Sequence, residues 1–339
     1  MILQEDILQV SHLKKYFKTS RGLVRAVDDV SFGVALNETF GLVGESGSGK
    51  STVGHIVVGI YSPTEGKITF SGRDISMGVG RRPKDLKKEL QIVFQDPASS
   101  LNPRRTIRQI LELPVRVHGL ASGDGVGRRV YEIMDRIELP HEYADRYPGE
   151  LGGGEKQAVA IGRALATDPS LVVLDEPTSA LDVSIQAKII NMLLKFQKEY
   201  GLSYLFITHN LSLMRNVAQR VAIMYLGKVR ELAETSEFFS NPLHPYTKML
   251  LSAVPVITPE EEKMKPEKVV STGEISGAID IPPGCSFHPR CPFRMDICDK
   301  VDPPMIEYQE GHYVSCHLFP AGVPSASSGS GSKSSSKDK

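Results

Sequence analysis

Apolar residues along the chain form nearly unbroken runs at 40–43, 171–174 and 202–208, set among stretches where they recur at every second or every third to fourth position. Runs of this length bounded by turn residues predict strands buried on both faces. Alternation over 7–10 and 27–34 predicts flanking strands with one buried face. Helical spacing starts at 51–60 and 158–167, each directly after a glycine-rich turn, and recurs at 127–137 and at 247–253. Residues 96–150 read as polar and largely helical. A short helix over 107–113 is expected to stop at Pro114, whose ring removes a backbone donor. The pattern is that of an α/β chain with an inserted helical segment.

The turns of this pattern carry the chemistry. Over 41–52 the sequence G-L-V-G-E-S-G-S-G-K-S-T fits the phosphate-loop spacing G-x-x-x-x-G-K-[ST], with Gly44, Gly49, Lys50 and Ser51 in register. Between a strand and a helix start, the backbone around Gly44, Ser46, Gly47, Gly49 and Thr52 can cradle phosphate oxygens. Lys50 would reach the β- and γ-phosphates, and the Ser51 hydroxyl would hold Mg2+. The run 171–174 delivers Asp175 and Glu176 to the carboxyl edge of the sheet, where open α/β folds place ligands. Asp175 suits the Mg2+ shell and Glu176 suits orienting or deprotonating a water. The run 202–208 delivers His209 to the same edge, within reach of a γ-phosphate. Gln95 stands at a predicted strand end before Pro97, and L-G-G-G-E-K-Q over 151–157 opens a second helix with a glycine turn, a second anion-binding helix end.

Phosphate loop, Gln95, the 151–157 segment, Asp175-Glu176 and His209, in that order, resemble the ATP-binding cassette (ABC) family. The resemblance implies a P-loop NTPase fold of class α/β, with an inserted helical subdomain at about 96–160 and a cassette over 1–238. It implies ATP and Mg2+ as ligands, Gln95 beside the metal as well as in catalysis, and Phe17, or alternatively Tyr16, as the aromatic that stacks on adenine. It also implies that two cassettes face each other head to tail. Each ATP is then held by one chain's phosphate loop and by the other chain's signature (Gly152, Gly153, Gly154), with Asp182 in the segment that crosses to the partner.

The signature departs from the family's usual L-S-G-G-Q: Gly152 replaces the serine and Glu155 the glutamine. The missing hydroxyl removes a hydrogen bond to a charged group, worth about 1.5–3 kcal/mol, or roughly ten- to a hundredfold in affinity. An asymmetric heterodimer is one expectation, in which this chain's own loop works opposite a partner with an intact signature. A homodimer in which the backbone N–H groups of 152–154 suffice is the other.

Forty basic and forty acidic side chains balance, and nothing points to nucleic acid. No apolar run reaches the ~18 residues of a membrane span, and the start M-I-L-Q-E-D does not read as a secretory leader. A peripheral place on the cytoplasmic face of the cell membrane is expected, with any pore supplied by other subunits.

From N-P-L-H-P-Y-T over 241–247 onward, the chain resembles the small, irregular C-terminal extension of ATPases in oligopeptide and dipeptide importers, here 239–323. All four cysteines, Cys285, Cys291, Cys298 and Cys316, lie in it at the spacing C-x5-C-x6-C-x17-C. Four thiolates suit zinc or an iron-sulfur cluster. The wide steps favour the cluster, and so does the resemblance, since relatives with this extension can carry [4Fe-4S]; His288, His312 and His317 are not expected as ligands. The serine-rich stretch 324–339 lacks large apolar residues and is expected to be disordered.

The resemblance implies an ATPase subunit that powers import of peptides or related solutes through two transmembrane permease subunits, served by an extracytoplasmic solute-binding protein. A largely inactive regulatory cassette or a soluble non-transport cassette ATPase are the alternatives; the retained Lys50, Asp175, Glu176 and His209 speak against the former.

Overall fold

The computed structural model describes residues 2–3, 5–254, 266, 277 and 279–320. The stretch 324–339, with its expected disorder, lies outside the described residues. A long hairpin, β1 (Leu8–Thr19) and β2 (Gly22–Val34), precedes β3 (Thr39–Val43) and α1 (Lys50–Val57). Then come β4 (Glu65–Phe70), β5 (Arg73–Asp74), α2 (Lys84–Glu89) and β6 (Leu90–Val93). The helical insert holds α3 (Pro97–Ser100), α4 (Ile107–Val117), α5 (Gly125–Arg136) and α6 (Gly153–Leu165). The chain returns through β7 (Leu171–Asp175), α7 (Val183–Tyr200), β8 (Ser203–Thr208), α8 (Leu211–Val217), β9 (Arg220–Tyr225) and β10 (Lys228–Glu234). It ends with α9 (Thr235–Ser240), α10 (Pro245–Ala253), β11 (Ile306–Gln309) and β12 (His312–Val314).

Two sheets result. The antiparallel one runs β2-β1-β4-β5, and the eight-stranded one runs β11-β12-β10-β9-β3-β8-β7-β6. In the larger sheet β9, β3, β8, β7 and β6 are parallel, while β10, β12 and β11 add antiparallel at one edge. The unbroken apolar runs are explained by burial on both faces. Along β7 and β8, Val172, Leu174, Tyr204 and Phe206 pack toward the helical side, whereas Leu171, Val173, Leu205 and Ile207 pack toward α1 and the antiparallel sheet.

The helix expected to stop at Pro114 runs through it to Val117. Pro114 cannot donate to the preceding turn, a cost of about 3 kcal/mol. Burial of Ile107, Ile110, Leu111 and Val115 on one face offsets it, and Thr106 and Gln109 close a capping box at the start. Helix α1 ends at Val57 rather than at 60, ahead of Gly59 in a left-handed conformation.

The C-terminal extension is not an appendage on a separate core. Its β11 and β12 extend the main sheet, and Tyr246, Met249, Leu251 and Phe287 belong to the same apolar cluster as β8 and β9. Among the described residues no helix is long and apolar enough to cross a membrane.

Candidate functional site

Strand β3 is buried along its whole length and aims the loop 44–49 at the carboxyl edge of the sheet. Gly49 precedes α1 at φ 103°, where a Cβ would collide with the Ala26 carbonyl oxygen, so only glycine fits. Lys50 is buried; its Nζ donates to the carbonyls of Gly44 (2.8 Å) and Glu45 (2.9 Å) and to Ser48 Oγ (3.3 Å). Burial pushes this ammonium below its usual range, against the pull of Glu176, Asp175 and Glu45. Gly44, Ser46, Gly47, Gly49, Lys50, Ser51 and Thr52 all line one open cavity.

Gln95, Glu176 and His209 line the same cavity from the ends of β6, β7 and β8. Glu176 takes φ 47°, an uncommon backbone for a side-chain-bearing residue, and its N–H donates to the Ile207 carbonyl at 2.9 Å. Its Oε2 accepts from Gln95 Nε2 at 3.1 Å and lies 3.1 Å from His209 Nδ1. Asp175 is directed elsewhere: Oδ1 accepts from Ser51 Oγ at 2.8 Å. The two adjacent carboxylates thus have different partners. Ser51 Oγ and Asp175 Oδ1 are hard oxygen donors side by side at the loop. They fit Mg2+, which takes one or two protein oxygens and completes its shell with water and phosphate.

Gly152, Gly153, Gly154 and Asp182 are not at this cavity. They line a second one with Leu181 and Ile185. Asp182 caps α7, accepting from the Ile185 N–H (2.9 Å) and the Ser184 hydroxyl (2.7 Å), bonds that hold its carboxyl below the usual range. At the start of α6, Glu155 Oε2 accepts the Gly152 N–H at 2.8 Å. Gly152 itself has ordinary φ and ψ of −71° and 169°, and a Cβ there would meet nothing nearer than Glu155 Oε2 at 3.6 Å.

Phe17 packs edge-on against Tyr61 at 5.2 Å with Lys15 Nζ 5.0 Å from its ring centre; it is not among the cavity-lining residues, although its cross-strand partner Val24 is. Tyr16 is tied to Asp28 by its hydroxyl at 2.5 Å, and burial with that bond pushes its phenol up to about 12.

The four cysteines line one small cavity together with His244, Phe287, His288 and His317. Burial pushes the Cys291 thiol up to about 11 and the Cys316 thiol up to about 12, and the neighbouring thiols add to this. Among the described residues no three His, Cys, Asp or Glu side chains stand in a metal-holding group. The histidines are engaged otherwise: His288 with the Cys285 carbonyl (2.9 Å), His312 with Glu231 (2.8 Å) and His317 with the Val301 carbonyl (2.8 Å).

Sequence reasoning missed five contributors to this region. Val24, Ala26, Glu45 and Leu250 line the first cavity, and His55 Nε2 lies 3.4 Å from Asp175 Oδ2. His55 stands four residues after Ser51, on the same helix face, and could have been flagged. Leu250, on a helix of the extension, carries no local signal.

Residues 27–179 match the ABC transporter family, and residues 230–298 match the oligopeptide/dipeptide transporter C-terminal region. The chain is similar to the oligopeptide transport ATP-binding protein AppF of Bacillus subtilis, 46% identical over 324 residues that cover 93% of this chain and 98% of that protein. It is 39% identical over 320 residues to the dipeptide transport ATP-binding protein DppF of Escherichia coli, covering 93% and 95%. Among solved structures it is similar to the dimeric ATP-binding cassette MJ0796 bound to ADP and Pi, at TM-score 0.61 and 28% identity over 67% of this chain and 98% of that one. It is likewise similar to cbiO1 of Clostridium perfringens, part of the cbiONQ transporter complex, at TM-score 0.61 and 27% identity over 70% and 92%. The chain belongs to the ABC transporter family, as an ATP-binding subunit of the oligopeptide/dipeptide type.

Proposed function

We propose that this chain hydrolyses ATP to power an importer of peptides or related small solutes, from the cytoplasmic face of the membrane and on two separate permease subunits. The carrying observation is the Gln95–Glu176–His209 triplet at 3.1 Å contacts beside Lys50 and Ser51. In this reading 1–238 is the cassette and 239–323 the extension. Lys50 holds the β- and γ-phosphates, and the glycine-rich backbone of 44–49 cradles them. Ser51 and Asp175 would hold Mg2+, which neutralises phosphate charge when bound. Glu176 orients and deprotonates the attacking water, with Gln95 and His209 fixing its carboxylate and His209 contacting the γ-phosphate. Phe17, on the strand face next to Val24, stacks on adenine. Replacing Glu176 by Gln keeps the shape and removes the base. ATP turnover of the assembled transporter should fall by about 10²–10⁴-fold while ATP binding persists. Unchanged turnover would remove Glu176 from this role.

We further infer that the chain works in an asymmetric pair. Support comes from Glu155, whose carboxylate occupies the Gly152 N–H at the start of α6. In a head-to-tail dimer that helix end faces the partner's ATP, so it offers a negative charge and no serine hydroxyl. The alternative remains a homodimer held by the N–H groups of 152–154.

For the extension we propose a structural [4Fe-4S] cluster on Cys285, Cys291, Cys298 and Cys316, with Zn2+ as the alternative. Support comes from the four thiols lining one cavity; since no metal-holding group stands ready among the described residues, the thiols would have to lose their protons and close in on binding. Iron, sulfide and zinc analysis of anaerobically purified chain decides: neither metal at stoichiometric level sinks the idea.

A further inference from the structure

Glu45 is the residue of the phosphate loop directly after Gly44, and the extension grips it on two sides. Its carboxylate accepts a two-pronged bond from Arg290, with Nη1 at 2.8 Å and Nη2 at 3.2 Å. Its backbone N–H donates to the Tyr246 hydroxyl at 3.0 Å. On the far side of the same residue, the Glu45 carbonyl accepts from Lys50 Nζ at 2.9 Å. Arg290 and Tyr246 are both buried. The guanidinium lies 5.8 Å from the ring centres of Tyr225 and of Phe287, and the Tyr246 ring centre is 4.8 Å from that of Tyr225. Leu250, one turn beyond Tyr246 on α10, lines the nucleotide cavity itself.

A planar guanidinium bonded through both prongs fixes orientation as well as distance. The Tyr246 hydroxyl fixes the tilt of the peptide that ends at Glu45. Together they set where the carbonyls of Gly44, in that same peptide, and of Glu45 point, and through them where the Lys50 ammonium rests. Arg290 is separated from Glu45 by 245 positions, so none of this grip comes from within the cassette.

We propose that Arg290 and Tyr246 are positioning residues of the nucleotide site: through Glu45 they hold the phosphate loop and Lys50 in the conformation that receives the ATP phosphates. The extension thereby acts on ATP affinity. The proposal rests on the ATPase reading above.

The test is titration of the full-length chain with mant-ATP and Mg2+. Arg290→Ala should raise Kd about tenfold, the scale of one bond to a charged group, and Tyr246→Phe about fivefold, the scale of one neutral bond. Both should leave the thermal midpoint within the range of Arg290→Lys, a variant that keeps the charge and recovers part of the affinity. In a Glu45→Ala background, Arg290→Ala should add nothing further, because its route to the loop is already cut. In the assembled transporter the defect should appear in KM for ATP more than in kcat. Unaltered Kd in both variants overturns the proposal, and so does an additive loss in the Glu45→Ala background. If Arg290→Ala does not fold, Tyr246→Phe decides alone, since it removes one oxygen and keeps the packed ring. A wild-type chain that fails to bind mant-ATP would sink the ATPase reading as well, whereas normal wild-type binding with unaffected variants sinks only this inference.

Discussion

His244 is fully buried, and its Nδ1 accepts the Tyr246 N–H at 3.0 Å to cap α10, so it must be neutral in the folded chain. Burial, helped by the Arg230 charge, depresses its pKa to about 3. In the unfolded chain the ordinary value near 6.5 returns. Below ~6.5 the unfolded state therefore binds a proton that the folded state refuses. The stabilisation is complete above that pH and is lost progressively as pH falls toward 3. At about 1.4 kcal/mol per unit, acidification from pH ~6.5 to ~5 should cost about 2 kcal/mol through this residue. Asn at 244 keeps a capping acceptor and cannot titrate. Urea midpoints of wild type and His244→Asn at pH ~7.5 and ~5 check this: wild type should lose more on acidification, and equal losses would clear His244. Legibility at this scale follows sequence distance. Lys50, Ser51, Asp175, Glu176 and His209 were readable because each sits at a fixed offset from an apolar strand. The Glu155 cap was overlooked because glycine, not serine or threonine, occupies the N-cap position that usually flags a capping box.

Element β10 is where cassette and extension become one body. Arg230, 1% exposed, donates to Asp302 Oδ1 (2.9 Å), Ser315 Oγ (3.1 Å) and Ser286 Oγ (2.8 Å). The next residue, Glu231, points the other way and accepts the N–H groups of Leu243 and His244 and the ring of His312, all at 2.8 Å. Removing one member of such a buried set strands the others, at about 3–5 kcal/mol. Arg230→Ala should accordingly release 279–320 before the rest of the fold, seen as faster amide exchange there than at β7 and β8. Uniformly faster exchange across both sheets would argue against separate release. The sequence disclosed β3, β7 and β8 by their apolar runs but gave no hint of β11 and β12. Those strands are short, carry Glu307 and Gln309 among their few residues, and join the sheet only through β12, which pairs with β10 some eighty positions away while β11 pairs with β12. Helix α4 likewise passed Pro114 because burial on one face outweighed a local signal.

At the scale of the whole molecule, the residues proposed for the nucleotide fall into two groups that one chain does not bring together: Lys50, Gln95, Glu176 and His209 at one cavity, Gly152 to Gly154 and Asp182 at another. In the proposed reading a second cassette completes each site, and the symmetry of the pair depends on how well this chain's α6 end receives a foreign phosphate. Glu155 holds the Gly152 N–H, and the serine hydroxyl is missing. In a homodimer the deficit of roughly ten- to a hundredfold enters twice, once per site. With a partner that has an intact signature it enters once, and the site at this chain's own Lys50 escapes it. Light scattering of the Glu176→Gln chain with Mg-ATP should therefore show a monomer, and a doubled mass only when that partner is added. Serine at 152 has room, since the nearest atom to its Cβ would be 3.6 Å away. Adding Gly152→Ser to Glu176→Gln is expected to let the chain pair with itself. A doubled mass for Glu176→Gln alone would mean that the N–H groups of 152–154 suffice and the two sites are equivalent; no gain on adding Gly152→Ser would move the cause of asymmetry away from the signature.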